Sequence, residues 1–272
     1  MIRAIFFDID GTLLSYTNHS VLPSTVEAFR QLHAKGIRTF ISSGRPLVLI
    51  PPMPVTFDGY ITVNGGLCLV KDAGQHSSPQ THDTYKVLLR NPISPDDCRR
   101  WLDHVSRNNL VTMCFTENDM FINRIDNAVI RLRDQLGFQM PPVKDFSAFG
   151  SQSTIPEVYQ FIAMQPAEDD DQLLSILSHC RLPRWHPAFS DIIPIGSSKA
   201  VGIECILSHF GISREESMAF GDGANDIEML DYVGTGIAMG NASPIVKRHA
   251  DYVTADADSD GILLALQHLN VI

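Results

Sequence analysis

The run Ile2–Phe7 is apolar apart from Arg3 and stops at Asp8. Such continuity fits a strand buried on both faces of a parallel sheet, where one-sided alternation is lost. After Pro23, the stretch Ser24-Thr25-Val26-Glu27 has capping-box spacing, and Val26, Phe29 and Leu32 recur at helical intervals until Gly36. Ile37–Ser42 is a second apolar run. Strand, helix and strand in so short a stretch imply a right-handed parallel crossover. The C-terminal part keeps this rhythm. Ser198–Phe210 reads as a helix closed by Gly211, Met218–Phe220 as a strand, and Asp226–Tyr232 as a helix closed by Gly234. Thr235–Met239 is a strand, Ser243-Pro244 opens a helix, and Asp251–Thr254 precedes a last helix.

The middle breaks the alternation. Val111–Thr116 and Met120–Arg124 read as successive strands, among helices at Pro95–Arg107, Asn127–Gln135 and Asp170–Cys180. The expected fold class is therefore α/β, a doubly wound parallel (Rossmann-like) core interrupted by an α+β insert with an antiparallel sheet. The core is placed at 1–82 and 190–272 and the insert at 83–189. Trp101, Phe115, Phe121, Phe138 and Trp185 are read as the insert's own core.

Composition narrows the function. At 272 residues with 44% hydrophobic positions, the chain can bury a core in one or two domains of ~150 residues each. The net charge is −10, which argues against nucleic acid or an anionic membrane as the main partner. No stretch of ~18 residues lacks a charge, so no spanning helix is expected. Cysteines at 68, 98, 114, 180 and 205 are odd in number and form no Cys-x-x-Cys pair. Neither a disulfide framework nor a zinc knuckle is indicated, and a reducing cytoplasm is the expected location. The insert carries −3 and the remainder −7, so most of the acid sits on the α/β part.

Four segments carry candidate chemistry. Asp8-Ile9-Asp10-Gly11-Thr12 follows the first strand, placing two carboxylates where α/β sheets bind ligands. Like charges held together call for a cation or a proton. Gly221-Asp222-Gly223-Ala224-Asn225-Asp226 closes another strand and adds hard oxygen donors of the kind Mg²⁺ takes. Ser42-Ser43-Gly44-Arg45 ends the second strand with hydroxyls and backbone N–H groups suited to a phosphate oxygen. Lys199 stands in the first turn of a helix, the wrong end for the helix dipole, a misfit that a nearby anion would repair. Singly, the Asp-x-Asp and Ser-Gly segments read more readily as ordinary turns, and Lys199 as readily as a solvated charge. Asp256-Ala257-Asp258-Ser259-Asp260-Gly261 starts like a calcium loop, but Gln267 stands where the bidentate carboxylate belongs.

Taken in order, the four segments resemble the signature set of the haloacid dehalogenase (HAD) superfamily of aspartate-dependent phosphatases. Ser43-Gly44-Arg45, Asn64-Gly65-Gly66 and the run Gly236–Ala242 are similar to the Cof-like subfamily, and the insert matches a type IIB cap domain in length and position. Ser42-Ser43, Lys199-Ala200 and Asn64-Gly65-Gly66 depart slightly from the usual pattern without removing a needed chemical group.

The resemblance implies a Mg²⁺-dependent phosphomonoesterase acting on small phosphate esters, sugar phosphates foremost, through an aspartyl-phosphate. Asp8 would be the nucleophile and Asp10 the general acid and base. The metal would be held by Asp8, the backbone carbonyl of Asp10, and Asp222, with Asp226 orienting its waters. Ser43, Gly44, Lys199 and Asn225 would hold the phosphate, and Asn64 is a candidate for the substrate loop. The insert would close over the site. A monomer or homodimer is expected. A phosphomutase or phosphotransferase would use the same aspartate, a receiver domain would be about half as long, and an inactive sugar-phosphate-binding protein is a further alternative.

Overall fold

The computed structural model describes residues 1–15, 17, 19–71, 85–136, 138–146, 156–184 and 186–272. The first strands are β1 (Ala4–Phe7), β2 (Arg38–Ser42), β3 (Gly59–Thr62), β4 (Leu67–Lys71) and β5 (Tyr85–Arg90). Then come β6 (Thr112–Thr116), β7 (Met120–Ile122), β8 (Val158–Ala163), β9 (Cys180–Arg181) and β10 (Ser190–Pro194). The chain finishes with β11 (Ser217–Gly221), β12 (Thr235–Ala238) and β13 (Tyr252–Val253).

One compact unit comprises residues 1–45, 49–90 and 197–272. Its sheet runs β13-β12-β11-β1-β2-β3-β4-β5. Pairing is parallel from β13 to β3 and antiparallel at β4 and β5. On one face Phe6, Phe40, Ile61 and Ala219 pack with Ile203, Ile206 and Leu207 of helix Lys199–Phe210 and with Met229 and Leu230 of helix Ile227–Tyr232. On the other, Phe7 lies 4.8 Å from Phe29 of helix Pro23–Ala34 and 5.2 Å from Phe220, ring centre to ring centre. Each fully buried side chain of this size contributes about 1.5–3 kcal/mol, so helices on both faces hold β1 firmly in the middle.

The second unit is 46–48 and 91–196. It contains an antiparallel sheet in the order β7-β6-β8-β10-β9. Trp101, Leu102 and Val105 of helix Pro95–Asn108 pack on Cys114, Phe161 and Ile192. Trp185 lies outside the described residues.

The boundaries differ from the sequence reading. The one expected between 82 and 83 lies outside the described residues, but β5 after it pairs with β4 and so belongs to the large sheet. At the other end β10 pairs with β8 and β9, which carries the second unit to Gly196 instead of 189. Both strands are antiparallel, and a short apolar run does not declare its partner. The capping box at Ser24 does not form. The helix begins at Pro23, no side chain caps it, and the Ser24 hydroxyl donates to Asp260 Oδ1 at 2.5 Å. The helix expected to reach Cys180 ends at Ile176, because Leu177 leaves helical geometry. Among the described residues no helix is long and apolar enough to cross a membrane.

Candidate active site

β1 lies between β2 and β11, with Phe7 opposite Ile41 and Phe220. Parallel pairing in this register brings Asp8, Ser43 and Asp222, just past the three carboxyl ends, to one edge of the sheet. The connections run outward from β1 in both directions, and ligands of open α/β sheets bind at such a point. Beyond β1 the backbone folds back at Gly11, whose φ of 79° suits glycine, and Leu14 N–H donates to Ile9 C=O at 2.8 Å.

Lys199 is the first residue of its helix, and Ser198 caps it by accepting from Val201 N–H at 3.2 Å. The ammonium, with 0% side-chain exposure, donates to Asp8 Oδ1 at 2.6 Å and to Asp226 Oδ1 at 2.5 Å. Burial by itself would lower its proton affinity, but the charges of Asp226 and Asp8 outweigh that and raise it. The dipole misfit read from the sequence is thus answered by two carboxylates. Asp226 is engaged on both oxygens: its Oδ2 accepts from Asp222 N–H at 2.9 Å and Gly223 N–H at 2.8 Å.

Asp8, Asp222 and Asp226 each offer a carboxylate oxygen within 4.8 Å of the others, the one such cluster among the described residues. Burial pushes the Asp8 carboxyl well above its ordinary range, the charge of Asp226 pushes the same way, and Lys199 opposes both. One ammonium among three carboxylates leaves excess negative charge. The oxygen-only donor set and that excess fit a hard divalent cation. Asp8, Asp222 and Asp226 are the side chains that could hold it. The carboxylate of Asp10 is not in this cluster. Arg45 Nε donates to its Oδ2 at 2.8 Å and Nη2 to its Oδ1 at 2.7 Å.

A second cluster faces the Ser43 loop. Ser43 Oγ accepts from Arg45 N–H at 3.1 Å, leaving its own proton to donate. Asn225 Nδ2 donates to Asn64 Oδ1 at 3.3 Å, and a Cβ at Gly44 would stand 3.1 Å from that same oxygen. Asn64 is buried and, like Val63, has positive φ, at 53° and 46°. Non-glycine residues there cost on the order of 1–3 kcal/mol each, and such strain concentrates at functional sites.

Three residues at the site were not assigned roles from sequence: Arg45, Thr12 and Asn241. Thr12 Oγ1 donates to Asp222 Oδ1 at 3.3 Å, and Asn241 Nδ2 donates to Asp222 Oδ2 at 3.1 Å. Each lies in a quoted motif, but only folding reveals its partner. The calcium-like stretch is used internally, with Asp258 Oδ2 accepting from Thr17 at 2.9 Å and Asp260 from Ser24.

Residues 5–266 match the haloacid dehalogenase-like hydrolase family, and the chain belongs to that family. It is a HAD-type phosphatase. It is 29% identical over 273 residues to YkrA of Bacillus subtilis, a protein named as a phosphatase, covering 99% of this chain and 98% of that one. It is 32% identical over 284 residues to a Streptococcus pyogenes protein named as a bifunctional phosphatase/peptidyl-prolyl cis-trans isomerase, covering 100% of this chain and 54% of that one. The chain therefore spans about half of that relative's length. Among solved structures, the HAD subclass IIB sugar phosphatase BT4131 superposes with a TM-score of 0.83 at 34% identity, covering 99% of this chain and 100% of that chain.

Proposed function

We propose that this phosphatase is a Mg²⁺-dependent phosphomonoesterase that hydrolyses small phosphate esters, sugar phosphates foremost, through an aspartyl-phosphate on Asp8. The observation that carries the reading is the 2.6 Å hydrogen bond from Lys199 to Asp8 Oδ1, with the Asp8 side chain still 10% exposed. That contact orients a buried carboxylate and leaves it a path to a reacting atom.

In the first half-reaction an Asp8 oxygen bonds to phosphorus as the ester P–O bond breaks. Asp10 gives its proton to the departing oxygen, after exchanging one of its Arg45 hydrogen bonds for that oxygen. In the second, water bonds to phosphorus, Asp10 takes its proton, and the Asp8 carboxylate is released. Lys199, Ser43, Gly44 N–H and Asn225 present donors to the phosphoryl oxygens, so their contribution is positioning and charge. Asp8, Asp222 and the Asp10 carbonyl would hold Mg²⁺, which when bound supplies a divalent charge against the phosphoryl group. The sugar-phosphate class is favoured by the name of the subclass IIB neighbour.

The test is a screen of phosphorylated metabolites with purified protein. Turnover should vanish with EDTA and return with Mg²⁺, and acid quenching should trap phosphate on wild-type protein but not on Asp8→Asn. Wild-type turnover by Asp8→Asn, or indifference to chelator, overturns the reading.

A further inference from the structure

We propose that Asn241 is a positioning residue that sets the Asp222 carboxylate for cation binding, an inference resting on the reading of Asp8 and Asp222 as Mg²⁺ ligands. Both ends of its amide are used. Nδ2 donates to Asp222 Oδ2 at 3.1 Å and to the Gly11 carbonyl at 2.8 Å, while Oδ1 accepts from Ala257 N–H at 2.9 Å. These partners fix which end is nitrogen: the carboxylate and the carbonyl need donors, and the Ala257 amide needs an acceptor.

Three segments far apart in sequence thereby meet on one side chain: the turn after β1, the loop after β11 and the stretch following β13. With Thr12 on Oδ1 and Asn241 on Oδ2, the Asp222 carboxylate is gripped on both oxygens, which fixes its plane. The Gly11 contact ties that plane to the turn that carries Asp8 and the Asp10 carbonyl, so one amide sets the spacing between the two ligand loops. The platform beneath Asn241 is itself rigid. Gly240 N–H donates to Ala255 C=O at 3.0 Å, and a Cβ at Gly240 would fall 2.3 Å from Asp256 Oδ1. No residue with a side chain fits there without displacing the loop. Partners that orient metal-binding carboxylates in this way are typically worth about 10–100-fold in metal affinity.

The experiment titrates the metal-free full-length chain with Mg²⁺ by calorimetry, and with Mn²⁺ by the loss of the free-ion paramagnetic signal. It compares wild type, Asn241→Ala and Asn241→Ser. Asn241→Ala should bind either ion about 10–100-fold more weakly, with Asn241→Ser, which keeps one donor, in between. Raising the metal in proportion should return kcat to within about threefold of wild type, the pattern of a lost ligand geometry and not of a lost reacting group. A purely structural tie would lower the unfolding midpoint and leave the metal titration unmoved. Folded variants that bind both ions as wild type does overturn the proposal; should Asn241→Ala fail to fold, Asn241→Ser decides by the same criterion. Wild-type protein that binds neither ion overturns the Mg²⁺ reading instead, so the two failures are distinguishable.

Discussion

Arg45 holds Asp10 by both carboxylate oxygens, at 2.8 and 2.7 Å, and reaches back to the Leu49 carbonyl at 2.9 Å. The pair is 36% and 41% exposed, so solvent screens it and it contributes little to folding. Its effect is on where the Asp10 carboxylate points. Arg45→Ala should shift the unfolding midpoint only slightly while lowering kcat by about 10²-fold with alkyl phosphates. The loss should be smaller with an activated aryl phosphate, whose leaving group needs no proton. Equal losses for both substrates would show that Arg45 acts elsewhere.

Lys199 is the opposite case. Its ammonium is shared by two buried carboxylates, and the uncharged Lys199→Met leaves both without it. Breaking such a buried arrangement typically costs about 3–5 kcal/mol. Turnover should fall by at least about 10²–10³-fold in whatever fraction folds. Denaturant unfolding beside single-turnover assays measures the two effects separately.

For Asp8 the pH dependence has a definite sign. Its carboxyl titrates above the ordinary range because of burial and the charge of Asp226. A folded-state value above the unfolded one gives stability that is complete at low pH and is lost as pH rises through the folded value. Without metal, Asp8→Asn should therefore match wild type in acid and become the more stable protein as pH rises above the ordinary carboxylate range, levelling off only above the folded-state value. Thermal unfolding across that range, with and without Mg²⁺, is the measurement. A difference that narrows with rising pH would contradict the assignment.

Gly65 has a φ of 86°, and a Cβ there would sit 1.9 Å from the Ser198 carbonyl oxygen. Ser198 caps the helix that begins with Lys199, so Gly65→Ala should displace that helix end. The expected loss is at least about 1–3 kcal/mol from backbone strain, with a fall in turnover alongside it. A variant with unchanged midpoint and rate would show that the turn yields freely.

How much of this was visible in the sequence follows from the range of the interactions. Asp8, Asp222 and Ser43 could be placed because each follows an apolar run, and parallel strands leave their ends on one edge. Lys199 could be paired with an anion because its position on the helix is locally unfavourable. Arg45 with Asp10, and Asn241 with Asp222, could not, since neither contact leaves a local signature in propensity or period. Asp226 could be placed beside the candidate cation site, but its partners, Lys199 and the Asp222 and Gly223 amides, leave no local signal. The expected boundaries at 82/83 and 189/190 fell short of β5 and β10 for a similar reason: the antiparallel partners of these strands are chosen by packing, not by the run itself.

The position of β1 between β2 and β11 has a consequence for how the molecule opens. In amide hydrogen exchange, sheet margins such as two-residue β13 should lose protection through small local fluctuations, while Phe6, Phe7 and Asp8 exchange only when the whole unit unfolds. The carboxylate proposed to react with phosphorus would then keep its alignment through every partial opening, and heat would end turnover in a single cooperative step, not by gradual fraying.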